Sequence, residues 1–238
     1  MELKQIKPES LKDKCVERFE ELILSGNLLP GQKLPPEREL ATQLGVGRPV
    51  VHEALLELAT KGLVTLKPRI GTVVNDYRKE GSITLLNSLI NYHQGNLAPK
   101  LLEGFMKLRI LIEMENAKLC ARNRTRKHID EMQKIVEQEK KAFPRDVDQL
   151  TEIDFEFHLL IAMATDNFSF PLLINSFKPV YTNLTCLFFQ DPSVLPAVIE
   201  FHEELILAFE KKDETAAANI MERMLAHGET HLKNYINN

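Results

Sequence analysis

Between Leu34 and Val74 the spacing of apolar residues changes twice, and the changes predict two helices and a hairpin. Leu40, Ala41 and Leu44 share one face of a helix, Gly45 interrupts it, and Val51, Ala54, Leu55 and Leu58 form a second stripe of the same period. Beyond Gly62 come two short β-branched runs, Leu63-Val64-Thr65-Leu66 and Thr72-Val73-Val74, on either side of Lys67-Pro68-Arg69-Ile70. Two short helices joined at a glycine and followed by a hairpin with a basic tip predict a helix-turn-helix with a wing. Arg48 opens the second helix, so a cation stands at the end that would enter a DNA major groove.

Upstream, Val16, Phe19, Leu22, Ile23 and Leu24 predict a helix over Pro8–Ser25 that stops at Gly26-Asn27, and Pro30-Gly31 signals a turn. The first helix of the pair begins near Pro36, which has no hydroxyl to cap it. The missing cap costs on the order of 1 kcal/mol, partly offset by proline's preset φ and by Glu37 and Glu39 at the positive helix end. From Asp76 to Asn96 a polar stretch carries an apolar stripe of Ile83, Leu85, Leu86, Leu89 and Ile90, read as a linker helix. Beyond Leu97 no strand-like alternation remains. Helices are predicted at Lys100–Asn123, Thr125–Ala142, Asp146–Asp166, Pro171–Gln190, Leu195–Lys211 and Glu214–Tyr235, with Phe143-Pro144, Asn167-Phe168, Asp191-Pro192 and Lys212-Asp213 as punctuation. The fold class is mainly α. A winged helix-turn-helix domain spans residues 1–76, a linker helix 77–97, and an all-α antiparallel bundle for effector binding and dimerisation 98–238.

Composition changes this picture little. The 238 residues are 44% apolar and 27% charged, as in ordinary globular proteins. A formal net charge of −4 argues against a non-specific polyanion binder. Basic and acidic residues nearly balance over 1–75, however, so the negative excess lies further on and a few placed arginines can still direct a local field at DNA. Cys15, Cys120 and Cys186 are odd in number and widely spaced, which predicts reduced, mostly buried thiols in a cytoplasmic protein. The opening MELKQIKPES has no apolar leader core and no segment approaches a membrane span, so no membrane partner is expected.

The second half holds the candidate chemistry. Asp154 and His158 lie one helical turn apart on the same face, and His202 and His227 lie on two further helices. One aspartate and three histidines could hold a divalent transition metal, with zinc, nickel or manganese suiting such a set. His231, one turn beyond His227, is a substitute ligand or a solvated residue, while His93 and His128 show no partner pattern. Arg109 sits among apolar residues and needs an anion, either Glu113 one turn on or an effector carboxylate or phosphate. Phe105, Phe157, Phe188 and Phe189 read as core.

Two stretches resemble known families. Leu34-Pro35-Pro36-Glu37-Arg38-Glu39-Leu40-Ala41, Leu44-Gly45-Val46-Gly47-Arg48 and Glu53-Ala54-Leu55 resemble the GntR family of bacterial transcription regulators, matched from Leu29 to Val74. The resemblance implies DNA contacts by Arg38, Gly47, Arg48, Pro49, His52 and, at the wing, Arg69. The family usually has arginine where this chain has His52, which implies an altered operator preference. Gly47 replaces a frequent Ser or Thr, removing one phosphate-directed hydroxyl.

Arg109-Ile110-Leu111-Ile112-Glu113, the Asp154-to-His158 run, Asn167 and Phe201-His202 resemble the FCD ligand-binding domain of the FadR branch. That implies Arg109 and Asn183 as effector-binding residues and Asp154, His158, His202 and His227 as metal ligands. The branch pattern places its last histidine on Met224; here the imidazole is His227, a spacing closer to acyl-CoA-responsive members. The resemblance therefore implies no enzyme but a homodimeric repressor or activator on a short palindromic operator of double-stranded DNA. It would sense a small organic acid at a metal site or, alternatively, a long-chain acyl-CoA without metal. A metal-dependent hydrolase is a third reading, opposed by the lack of a positioned Glu or Lys base.

Overall fold

The computed structural model describes residues 10–85, 88–89, 99–142 and 146–236. The predicted stretch before Ser10, the linker residues Leu86 and Ile90, His93 and the Phe143-Pro144 break lie outside them. The chain divides into two compact units between Gly95 and Asn96.

In the N-terminal unit, α1 (Leu11–Leu24) is capped by Ser10, whose Oγ accepts from the Asp13 N–H. Helix α2 (Glu37–Leu44) starts behind Pro36 with no side-chain cap, and ends at Gly45, whose φ of 67° suits the left-handed turn that closes it. Helix α3 (Arg48–Thr60) begins behind Gly47, again uncapped by any side chain, with Pro49 in its first turn. Val51, Ala54, Leu55 and Leu58 are wholly buried, so the second sequence stripe is the inner face of α3.

Strands β1 (Val64–Lys67) and β2 (Gly71–Val74) pair antiparallel with Lys67 opposite Gly71. The preceding Gly31–Leu34 segment also hydrogen-bonds to β2, so the wing has support on its inner edge. At the wing tip the Ile70 N–H reaches the Lys67 carbonyl, and Arg69 sits at φ 65°, the position of that turn that ordinarily takes glycine. An arginine held in this conformation costs about 1 kcal/mol. Arg69→Gly should therefore raise the unfolding free energy of the N-terminal unit by about that amount while weakening operator binding. Calorimetry and a binding titration would check both signs, and a variant that loses stability would refute the strain.

After the wing the structure departs from a single linker helix. Helix α4 (Tyr77–Glu80) is one turn long and stops at Gly81. A Cβ on Gly81 would lie 2.3 Å from the Tyr77 carbonyl, and one on Gly62 2.0 Å from the Glu80 carbonyl, so two backbones touch where only glycine fits. Ser82 then binds the end of α3: its N–H donates to the Lys61 carbonyl and its Oγ to that of Thr60, both at 3.1 Å. Leu85 and Leu89 join the core of this unit. The Ser88 hydroxyl and the Lys61 ammonium both donate to the buried Glu20 carboxylate, at 2.6 and 2.7 Å.

The second unit contains α5 (Pro99–Asn123), α6 (Arg126–Ala142), α7 (Val147–Met163), α8 (Ser169–Phe189), α9 (Leu195–Lys211) and α10 (Glu214–Ile236). Each was predicted within a few residues. Helix α5 runs along α10 and α7 along α8. The core is built from Ala117, Ile129, Met132, Phe157, Leu205, Phe209 and Met221, all wholly buried. Arg124, in the α5–α6 turn, closes the far end of α9 by donating to the carbonyls of Phe209 (2.9 Å) and Glu210 (2.8 Å), where a cation is favoured.

Candidate functional site

Helices α5, α7 and α9 bring Arg109, Asp154, His158 and His202 together. Asp154 and His158 face the same way because four residues make roughly one turn. Single ligand atoms of Asp154, His158 and His202 all lie within 4.8 Å of one another, and all three side chains are buried. His158 Nδ1 meets the Glu113 carboxylate, and His202 Nδ1 lies 2.9 Å from Glu139 Oε2. Each imidazole is thus held through Nδ1, leaving Nε2 for something else. For His202 that Nε2 is buried with no hydrogen-bond partner among the described residues, 3.8 Å from Asp154 Oδ1. The Tyr181 hydroxyl donates to Asp154 Oδ2 at 2.6 Å. Phe157 stacks on His202 with ring centroids 3.9 Å apart, which fixes the ring plane.

Arg109 satisfies part of both expectations. Its Nε donates to Glu113 at 2.5 Å and its guanidinium lies 4.1 Å from the centre of the Tyr181 ring, while the side chain also lines a cavity. The cavity is small, about 40 Å³, and is bounded on its polar side by Arg109, Asp154 and His158; Leu184, Val198 and Met224 contribute to its apolar wall. Burial opposes charge on Glu113, but His158 and Arg109 outweigh it and bring the carboxyl down to about 2. Burial likewise opposes charge on His202, yet Glu139, with Asp154 and Glu113 behind it, moves its pKa above the ordinary value.

Two of the expected site residues fall elsewhere. His227 is not part of the cluster: Met224, Leu225, Gly228 and Leu232 turn toward the cavity, and His227 lies about 60° round α10 from Met224 on the side away from Gly228. It packs beside His231 (ring centroids 4.3 Å) and against Phe188 and Phe201. Of the four expected ligands, Asp154, His158 and His202 lie together and His227 lies apart. Asn183 does not line the cavity either, because Leu184, Thr185 and Phe188 take that face of α8. Glu139 escaped the sequence reading. Its signal was a lone carboxylate on the apolar stripe Ile129, Met132, Val136 of α6, where it is wholly buried.

In the N-terminal unit a groove between the start of α2, the start of α3 and the wing is lined by Lys33, Arg38, Arg48, Lys67 and Arg69. Arg48 and His52 are both exposed and share one face of α3. Among the described residues no single helix is long and apolar enough to cross a membrane.

A winged helix-turn-helix followed by a helical unit with a largely apolar, one-sidedly polar cavity is the architecture of a DNA-binding regulator with a ligand-binding domain. The chain belongs to the gntR family of bacterial regulatory proteins, matched over residues 11–74, and carries an FCD domain, matched over residues 105–227. It is a DNA-binding regulator with a ligand-binding domain, not an enzyme. The fatty acid metabolism regulator protein of Yersinia enterocolitica is 26% identical over 94% of this chain and 90% of its own length. A GntR structure from Streptococcus agalactiae is 26% identical, covering 92% of this chain and 99% of that one, with a TM-score of 0.51. McbR/YncC of E. coli, at 20% identity, 96% and 99% coverage and a TM-score of 0.57, shares the fold.

Proposed function

We propose that the protein binds a short palindromic operator as a homodimer and that the cavity at Arg109, Asp154 and His158 is its sensor. The observation that carries the sensor is the pair of buried imidazoles, each tethered through Nδ1 by a buried carboxylate beside Asp154. Were both imidazoles neutral, as metal ligands must be, Arg109 set against Glu113, Glu139 and Asp154 would leave two formal negative charges uncompensated in a region nearly closed to water. Such charge is costly unless balanced. A divalent cation held by Asp154, His158 and His202 balances it, and the carboxylate–imidazole tethers are what metal-ligating histidines ordinarily have. Zinc suits the donor set best, with nickel or manganese as alternatives. The ion would supply Lewis acidity toward the carboxylate of a small organic acid, while Arg109 offers a second cation and the apolar wall takes the rest.

A second reading, metal-free sensing of long-chain acyl-CoA, draws more support from the comparisons, since relatives aligned over most of the chain are named fatty acid metabolism regulators. The cluster's charge would then be balanced by protons, and Leu184, Val198 and Met224 would face an acyl chain. Elemental analysis and mass spectrometry of one untagged preparation separate the two. About one ion per chain supports the first; a co-purifying acyl thioester without metal supports the second.

Coupling to DNA would run through the linker. Leu85→Ser combined with Leu89→Ser removes its apolar anchors from the N-terminal core. Any effector that shifts the parent's operator affinity should then shift the variant's by less than about twofold, because coupling is a difference in affinity between two arrangements. Full coupling in the variant would refute the route.

A further inference from the structure

At the DNA-facing end of the helix pair, Glu37 binds two residues of the recognition helix at once. Its Oε1 lies 2.7 Å from His52 Nδ1, and its Oε2 accepts from Arg48 Nε at 3.1 Å. The Glu37 side chain is 22% exposed, against 49% for His52 and 72% for Arg48, so the carboxylate sits beneath the two and both point outward. An ionised carboxylate can only accept hydrogen bonds. Contact with His52 first, and with Arg48 next, holds the Glu37 carboxyl below its usual range against the opposing effect of burial. His52 Nδ1 must therefore carry the proton that donates to Glu37. In a neutral imidazole the other nitrogen then has none, and Nε2 is an acceptor. No described residue hydrogen-bonds that Nε2 or the terminal nitrogens of Arg48.

We infer that Glu37 is a positioning residue that presents His52 to DNA as a hydrogen-bond acceptor, so that His52 selects a base bearing an exocyclic amino group. In the major groove those bases are adenine, through N6, and cytosine, through N4; guanine offers only acceptors there, which would face the Nε2 lone pair. Arg48 differs. Glu37 takes only its Nε, and the two terminal nitrogens remain for a guanine edge. His52 stands one turn after Arg48, so each half-site pairs a guanine with a nearby adenine or cytosine. An arginine in place of His52 would ask for guanine at both. The inference rests on the reading of α3 as the recognition helix.

Two measurements on the full-length chain test it. Nitrogen NMR of the His52 ring at about pH 8.5, above the ordinary histidine range, should show the Nδ1–H tautomer in the parent and a shift toward Nε2–H in Glu37→Ala. Selection from a random duplex library by the parent and by His52→Arg should then yield operators that differ at one position per half-site. The parent should take adenine or cytosine there and the variant guanine, each by about tenfold. An Nε2–H tautomer in the parent, or guanine selected by the parent at that position, overturns the inference and leaves DNA binding standing. No enriched sequence with either protein overturns both.

Discussion

His158→Ala should abolish stoichiometric metal. Elemental analysis is expected to fall from about one ion per chain to less than about a tenth, because only Asp154 and His202 would remain and they come from different helices. An ion present at about a thousand times its dissociation constant adds about 4 kcal/mol to stability. Stripping the parent with a chelator should therefore lower its melting temperature by about 10 °C for a protein of this size, while the variant should not respond. Parent and variant that are equally metal-free and equally indifferent to chelator would sink the ion, leaving the buried charges to be balanced by protons and strengthening the acyl-CoA reading.

Arg48→Ala should have the largest effect on the DNA side. A bidentate arginine–guanine contact discriminates by about 1–3 kcal/mol, and a dimer loses one in each half-site, so operator affinity should fall about a hundredfold or more. The side chain is 72% exposed and its only described partner is Glu37, so thermal stability should change by less than about 0.5 kcal/mol. Anisotropy titrations at one fixed salt concentration would read the loss. Unchanged affinity would remove Arg48 from the interface.

Much of the architecture was legible because each element declares itself locally. The inner faces of α2 and α3 follow from residue spacing, the stop at Gly45 from glycine's tolerance of positive φ, and the bundle helices from period and punctuation. The linker was misjudged over Tyr77–Ser82: Gly81 is a local stop signal that the apolar stripe outweighed, and the close approach of Gly62 to the Glu80 carbonyl is a contact that spacing does not encode. The cluster was legible as far as a helical turn or a family motif reaches: Asp154 with His158, Arg109 with Glu113, and His202. The exclusion of His227 is a matter of rotation about α10, set by Met224 and Leu225 taking the cavity face. The tether from Glu139 spans helices whose facing could not be known before they were packed. The link from Glu37 to His52 joins residues fifteen positions apart, and the turn at Gly45 brings them together.

Ser82 has a mechanical consequence. Its amide and hydroxyl grip the last carbonyls of α3, and the glycines on either side of that contact leave no side chain to cushion it. The contact therefore ties the segment that follows the wing to α3 at the end opposite Arg48. Arg48 lies about 20 Å away along the helix, at 1.5 Å per residue. With the inner face of α3 wholly buried in the same core as Val64 and Val74 of the wing, a pull at Ser82 would be borne by the whole N-terminal unit rather than by α3 alone.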